Sequence, residues 1–292
     1  GDHIVVSKHV YGGTFRLLTD ILPRWGITHD MVDFSDLDAV AAAITPATKA
    51  LYIETPSNPT LHITDITAVV RLAKVHHLFT IADNTFLSPF LQKPLDLGVD
   101  IVVHSATKFL AGHSDILAGA VVVNRSDLAD KIYFIQNAVG ATLGVLDTWL
   151  LLRGIKTLGV RMTHASRSAQ KIAEYLAAHS KVTRVLYPGL VNHEGYAIQM
   201  KQANSGGAVL SFDVGSEAHA RTVVEALKIP VFSVSLGAVE TIISYPPKMS
   251  HAELNAQALA NVGISPGLLR FSVGLEDTDD LIVDLEQALA QI

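Results

Sequence analysis

Two stretches decide how this chain folds: Phe79-Thr80-Ile81-Ala82-Asp83-Asn84-Thr85 and Asp100-Ile101-Val102-Val103-His104-Ser105-Ala106-Thr107-Lys108. Each opens as an apolar run too short for a helix, Phe79 to Asp83 and Asp100 to His104, and ends abruptly in charged, amide or hydroxyl residues, the pattern of a buried strand running into a loop. Residues 3–7, 50–54 and 118–124 read the same way. Between several of these runs apolar residues recur at helical spacing, as at Leu37, Val40, Ala41 and Ile44, or Ile66, Val69, Val70 and Ala73. Strands alternating with helices predict an α/β fold with a large, mostly parallel sheet covered on both faces.

Working outward, residues 146 to about 179 form a long helical pattern, with Gly154 and Gly159 as breaks or close contacts. Strand-like runs at 182–187, 207–214, 240–244 and 269–273 then alternate with helical stretches, which predicts a smaller C-terminal α+β domain. The expected division is 1–165 and 166–292. The last helix is announced by Asp277-Thr278-Asp279-Asp280, an N-terminal capping run, and by Leu281, Ile282, Leu285 and Leu289 on one face.

With 292 residues, of which 49% are hydrophobic and only 17% charged, the chain can bury a core large enough for two domains. A net charge of -6 provides no basic surface for nucleic acid or an anionic membrane, so a small-molecule partner is expected. The absence of cysteine excludes disulfides, thiolate metal ligation and a cysteine nucleophile. No apolar run approaches the ~18–20 residues needed to span a bilayer, and the expected location is the cytoplasm.

Ligands of open parallel sheets bind beyond the carboxyl ends of the strands. Three groups lie there: Glu54-Thr55-Pro56-Ser57-Asn58-Pro59, Asp83-Asn84-Thr85, and His104-Ser105-Ala106-Thr107-Lys108. Any one of them alone reads more readily as a strand-end turn. Together they supply what pyridoxal 5'-phosphate requires. Lys108 can form the Schiff base, Asp83 can hold the pyridine nitrogen protonated, and Ser105 and Thr107 can donate to the phosphate. His104, His113 and Asp115 flank the lysine, but such chemistry needs no metal and none is expected.

Tyr11-Gly12-Gly13-Thr14, ETPSNP at 54–59, ADNTF at 82–86, HSATKFLAGHSD at 104–115 and RFSVGLED at 270–277 resemble, in order and spacing, the cystathionine synthase and lyase family. The resemblance implies an aspartate-aminotransferase-like (fold type I) pyridoxal-phosphate enzyme, assembled as a homotetramer of two active dimers. It makes Lys108 the Schiff-base lysine, Asp83 the pyridinium partner, and Ser105 and Thr107 the phosphate ligands. Tyr11 becomes the ring that stacks on the cofactor beside Lys108, and Asn58 a donor to the cofactor's phenolic oxygen. Arg270 becomes the clamp on the substrate α-carboxylate, and Ser235 a neighbour of the imine and substrate. By the same comparison roughly 80 to 100 family residues, including a Tyr-Ser-Arg motif and a Ser-Gly-Met turn, belong before Gly1.

Within the family, Gly13 stands where methionine γ-lyases carry cysteine, and Val234 where many γ-enzymes carry glutamate. The run 236–246 resembles bacterial cystathionine lyases most. The resemblance therefore implies a carbon-sulfur lyase acting on L-cystathionine. β-Elimination to homocysteine, pyruvate and ammonia is favoured over γ-elimination to cysteine and 2-oxobutyrate. The alternatives are a cystathionine γ-synthase-like transferase and an inactive fragment or scaffold.

Overall fold

A computed structural model describes residues 1–252 and 254–292, which fall into two compact units: Gly1–Thr55 with Thr64–Lys156, and Pro56–Ile63 with Thr157–Ile292. The first unit is built on β1 (His3–Ser7), β2 (Thr28–Val32), β3 (Thr48–Glu54), β4 (Phe79–Asp83), β5 (Ile101–Ser105) and β6 (Gly119–Val122). These form one sheet in the order β2-β1-β3-β4-β5-β6, parallel throughout except for the β5–β6 pair. Its helices are α1 (Gly12–Arg16), α2 (Leu37–Ala42), α3 (Ile66–Val75), α4 (Ser88–Leu91), α5 (Ser126–Val139) and α6 (Val145–Ile155).

Side-chain alternation sorts the sheet's two faces. Val5, Leu51, Ile53, Ala82 and Val102 join Ile66, Val69, Val70 and Ala73 of α3 in one core. Each large aliphatic side chain buried there stabilises the fold by about 1.5–3 kcal/mol. The start of α3 is fixed by Asp65, whose side chain accepts from the Ala68 N–H at 2.9 Å.

The second unit contains α7 (Leu158–Ala178), β7 (Arg184–Leu186), α8 (Tyr196–Gln202), β8 (Val209–Asp213), α9 (Glu217–Ala226), β9 (Val231–Phe232), β10 (Ile242–Ser244), α10 (Ala256–Asn261), β11 (Leu268–Ser272) and α11 (Thr278–Leu289). Its sheet runs β7-β8-β11-β10-β9 and is mixed, with only β9 and β10 parallel. Leu210, Phe212, Leu269 and Phe271 face a core completed by α7, α9 and α11. Asp277 caps α11 through the Asp279 N–H at 2.9 Å, and Leu281, Leu285 and Leu289 are buried as their spacing predicts.

The helical pattern over 146–179 resolves into α6 and α7, separated at Lys156-Thr157, where the two units also divide. Residue 165, the expected domain boundary, lies within α7. Gly154 is a close contact rather than a break. A Cβ there would stand 2.2 Å from the Ala111 carbonyl oxygen, so only glycine lets α6 approach that loop. Among the described residues, no helix is long and apolar enough to cross a membrane.

Candidate active site

The register of the first sheet pairs Glu54 with Asp83 and Asp83 with Val103. Ser105 follows Val103 by two residues, so Glu54, Asp83 and Ser105 share a face at the carboxyl ends of β3, β4 and β5. Asp83 keeps some accessible surface, yet protein atoms crowd its carboxyl so closely that burial pushes its pKa up. The opposing contribution comes from Thr85, whose N–H donates to Asp83 Oδ1 at 2.9 Å and whose hydroxyl also hydrogen-bonds the carboxylate. Thr85 Oγ1 accepts in turn from the Ser105 N–H at 2.8 Å, tying the ends of β4 and β5 together. A poorly solvated carboxylate of this kind gains most from a cationic N–H partner.

Lys108 follows β5 in a tight turn. Its N–H donates to Ser105 O at 3.1 Å, and its carbonyl accepts from Gly112 at 2.8 Å. Thr107 Oγ1 is engaged with the main chain of Ala118, accepting from its N–H at 2.9 Å and donating to its oxygen at 3.3 Å. Of the two expected phosphate ligands, Ser105 is therefore the one whose hydroxyl has no hydrogen-bond partner among the described residues. His104 is buried, which pushes its pKa down to about 4 and keeps the ring neutral. His113 Nδ1–H reaches the Ala111 oxygen at 2.8 Å.

Tyr11 stands at the N-cap of α1 with its side chain half-exposed. Its ring lies against Gly13, where an added Cβ would meet Tyr11 Cε1 at 2.5 Å. Any larger residue at 13 must move that ring.

In the second unit, alternation along β11 sends Leu269 and Phe271 into the core and Arg270 to the opposite face, between Ser211 of β8 and Ser244 of β10. Arg270 Nη1 donates to Asn58 Oδ1 at 2.9 Å, and Nη2 donates to the carbonyl oxygen of Ser235. Ser235 holds a left-handed φ of 82°, uncommon for a non-glycine residue, and so turns that carbonyl toward the guanidinium. Asn58 is itself held in place, since Ser211 Oγ donates to the neighbouring Pro59 oxygen at 2.7 Å. With its carbonyl oxygen committed to Arg270, Asn58 retains an NH2 donor of the kind a phenolate accepts. Ser244 Oγ is buried without a partner among the described residues. Val234 is exposed.

Residues 1–290 match the family described as Cys/Met metabolism PLP-dependent enzyme. The chain belongs to this family. Cystathionine beta-lyase MetC of Bacillus subtilis (strain 168) is 55% identical over 292 residues, covering 100% of this chain and 75% of that protein. Cystathionine gamma-lyase of the same organism is 47% identical, covering 100% of this chain and 77% of its own length. The crystal structure of cystathionine gamma-lyase from Lactobacillus plantarum complexed with L-serine superposes with a TM-score of 0.97 at 48% identity, over 100% of this chain and 77% of that one. The α/β, fold type I expectation is thereby met, and the family's cofactor is pyridoxal 5'-phosphate.

The residues present suit that cofactor. The first unit offers an amine, a desolvated carboxylate for a pyridinium N–H and the Ser105 hydroxyl. The second offers the Asn58 amide and a buttressed guanidinium. Sequence reasoning assigned no role to Thr85, Glu54 or Ser244. The first two lay inside quoted motifs, but only the folded chain shows what they touch.

If Arg270 binds a carboxylate, Arg270→Lys is expected to lower kcat/KM by about 10–100-fold, chiefly through KM, because a point charge cannot replace a planar fork. Steady-state kinetics check this, and an unchanged KM would remove the assignment.

Proposed function

We propose that this protein is a pyridoxal-phosphate-dependent carbon-sulfur lyase that cleaves L-cystathionine, with β-elimination to homocysteine, pyruvate and ammonia as the main reaction. The observation that carries this reading is the linked end of β4 and β5, with Asp83, Ser105 and Lys108 joined through Thr85 and the lysine turn. The 55% identity to a cystathionine beta-lyase supports the choice of reaction. Bound pyridoxal phosphate supplies an electron sink for the substrate α-carbon. Lys108 would hold the cofactor, and its amine would be the base for the α-proton. The Asp83 carboxylate would hold a proton at the ring nitrogen, Ser105 would donate to the phosphate, and Tyr11 would stack on the ring. Arg270, steadied by Asn58 and the Ser235 carbonyl, binds the α-carboxylate. We place the enzyme in the cytoplasm as a homotetramer, a state supported by exposed apolar residues on α5 and α6 such as Phe134, Val139, Val145 and Trp149.

The preference for β-cleavage rests on Val234. A glutamate there could pair with the distal ammonium of cystathionine and hold the chain for γ-cleavage, whereas exposed valine offers no such partner. β-Elimination needs only the α-proton and a leaving group on the next carbon, so it tolerates a looser distal arm. Val234→Glu is expected to shift the 2-oxobutyrate-to-pyruvate ratio upward by about 10-fold, equivalent to ~1.4 kcal/mol between the competing barriers. Product analysis from L-cystathionine tests both claims. Mainly 2-oxobutyrate from the unmodified enzyme would make it a γ-lyase.

A further inference from the structure

We infer that Glu54 is a positioning residue which fixes Tyr11, and that it does so by the reach of its carboxylate rather than by its charge. The inference rests on the proposed stacking of Tyr11 on the cofactor. α1 runs on without a break into a π-helical turn, Leu17–Ile21, and a short 3-10 helix, Leu22–Trp25, so Tyr11 is where this whole helical run begins. Tyr11 at its N-cap makes no side-chain capping bond, so the helix start must be fixed from outside. Glu54 Oε2 accepts from the Tyr11 main-chain N–H at 2.8 Å. β3 therefore holds α1 at its start.

The topology explains why such an anchor is needed. β1 lies between β2 and β3, so the chain leaving β1 and the chain leaving β3 diverge at the carboxyl edge, the place where ligands of such sheets bind. A half-exposed ring at that edge has little core around it, and its direction follows from its backbone. Gly13 then provides the clearance the ring needs. Glu54 is buried and paired in register with Asp83, so the strand end that anchors Tyr11 adjoins the one carrying the proposed ring-nitrogen partner.

Two conservative variants of the full-length holoenzyme separate reach from charge. Glu54→Gln keeps the length and an acceptor oxygen but loses the charge, whereas Glu54→Asp keeps the charge and is one methylene short of Tyr11. The readouts are visible-region circular dichroism of the bound cofactor and the dissociation constant for pyridoxal phosphate added to apo-protein. Glu54→Gln is expected to stay within about 3-fold of the parent, and Glu54→Asp to bind about 10-fold more weakly with a diminished signal. Glu54→Asp combined with Tyr11→Ala should bind no more weakly than Tyr11→Ala alone. The reverse order, with Gln impaired and Asp normal, overturns the inference, as do additive losses in the double variant. If Tyr11→Ala leaves both readouts unchanged while borohydride still fixes the cofactor on Lys108, the stacking role and this inference fall together and the lyase reading stands.

Discussion

Replacing Lys108 by alanine is expected to lower turnover of L-cystathionine by at least ~10⁴-fold and to leave borohydride no cofactor to fix on the polypeptide. The size follows from two duties in one amine. A positioned general base contributes about 10²–10⁴-fold by itself, and the same amine also carries the cofactor in the resting enzyme. The surrounding turn fixes the backbone from which that amine projects. Lys108 is held by main-chain bonds to Ser105 and Gly112, and Gly154 lets α6 pack directly on Ala111 three residues later. Rapid-quench kinetics and peptide mapping after borohydride reduction check the two halves separately. A labelled peptide from around any other lysine, or a variant retaining a hundredth of the parent rate, would overturn the role.

How much of this was legible beforehand depended on whether a signal was local. The run Phe79–Asp83 was read to the residue, because β4 lies between two parallel neighbours and its Phe79, Ile81 and Ala82 stand out against the polar Asp83-Asn84-Thr85 that follows. β5 ends at Ser105, one residue later than its hydropathy implied, since antiparallel pairing with Gly119 extends the ladder into polar sequence. β2 left no readable trace. Thr28–Val32 is an edge strand paired only with β1 and partly exposed along its length, so nothing forces an apolar run. α5 was missed as well, because only Leu128 on it is buried and a helix with so small a buried face has weak periodicity. Lys108, Asp83 and Ser105 could be picked out as residues ending strands. Arg270, Asn58 and Ser235 came through the resemblance alone, and their mutual hydrogen bonds join residues 212 and 35 positions apart, beyond the reach of any local pattern. Thr85 and Glu54 went unassigned for the same reason: Thr85 reaches Ser105, 20 positions away, and Glu54 reaches Tyr11, 43 positions away.

Asp83→Asn is expected to retain the cofactor while slowing α-proton removal by at least ~10²-fold. Asparagine matches aspartate in shape, and its side-chain oxygen can still accept from the Thr85 N–H that reaches Asp83 Oδ1 at 2.9 Å, so the end of β4 should keep its form. What disappears is the negative charge. Burial already pushes the Asp83 carboxyl up from its ordinary value, and Thr85 offsets that only in part, so ionised Asp83 is a group whose charge is poorly solvated. A cationic N–H against it relieves that cost, and by the same linkage Asp83 favours the protonated ring nitrogen. Asparagine can donate a hydrogen bond to a neutral nitrogen but cannot hold a proton there, and a neutral ring draws electrons from the α-carbon less effectively. The loss should therefore fall on kcat, with cofactor affinity reduced far less. Exchange of the substrate α-proton with deuterated solvent measures the affected step directly. Exchange and turnover near the parent rates in a fully loaded Asp83→Asn enzyme would show that another group holds the ring nitrogen, whereas loss of cofactor without loss of rate per bound cofactor would reduce Asp83 to an anchor.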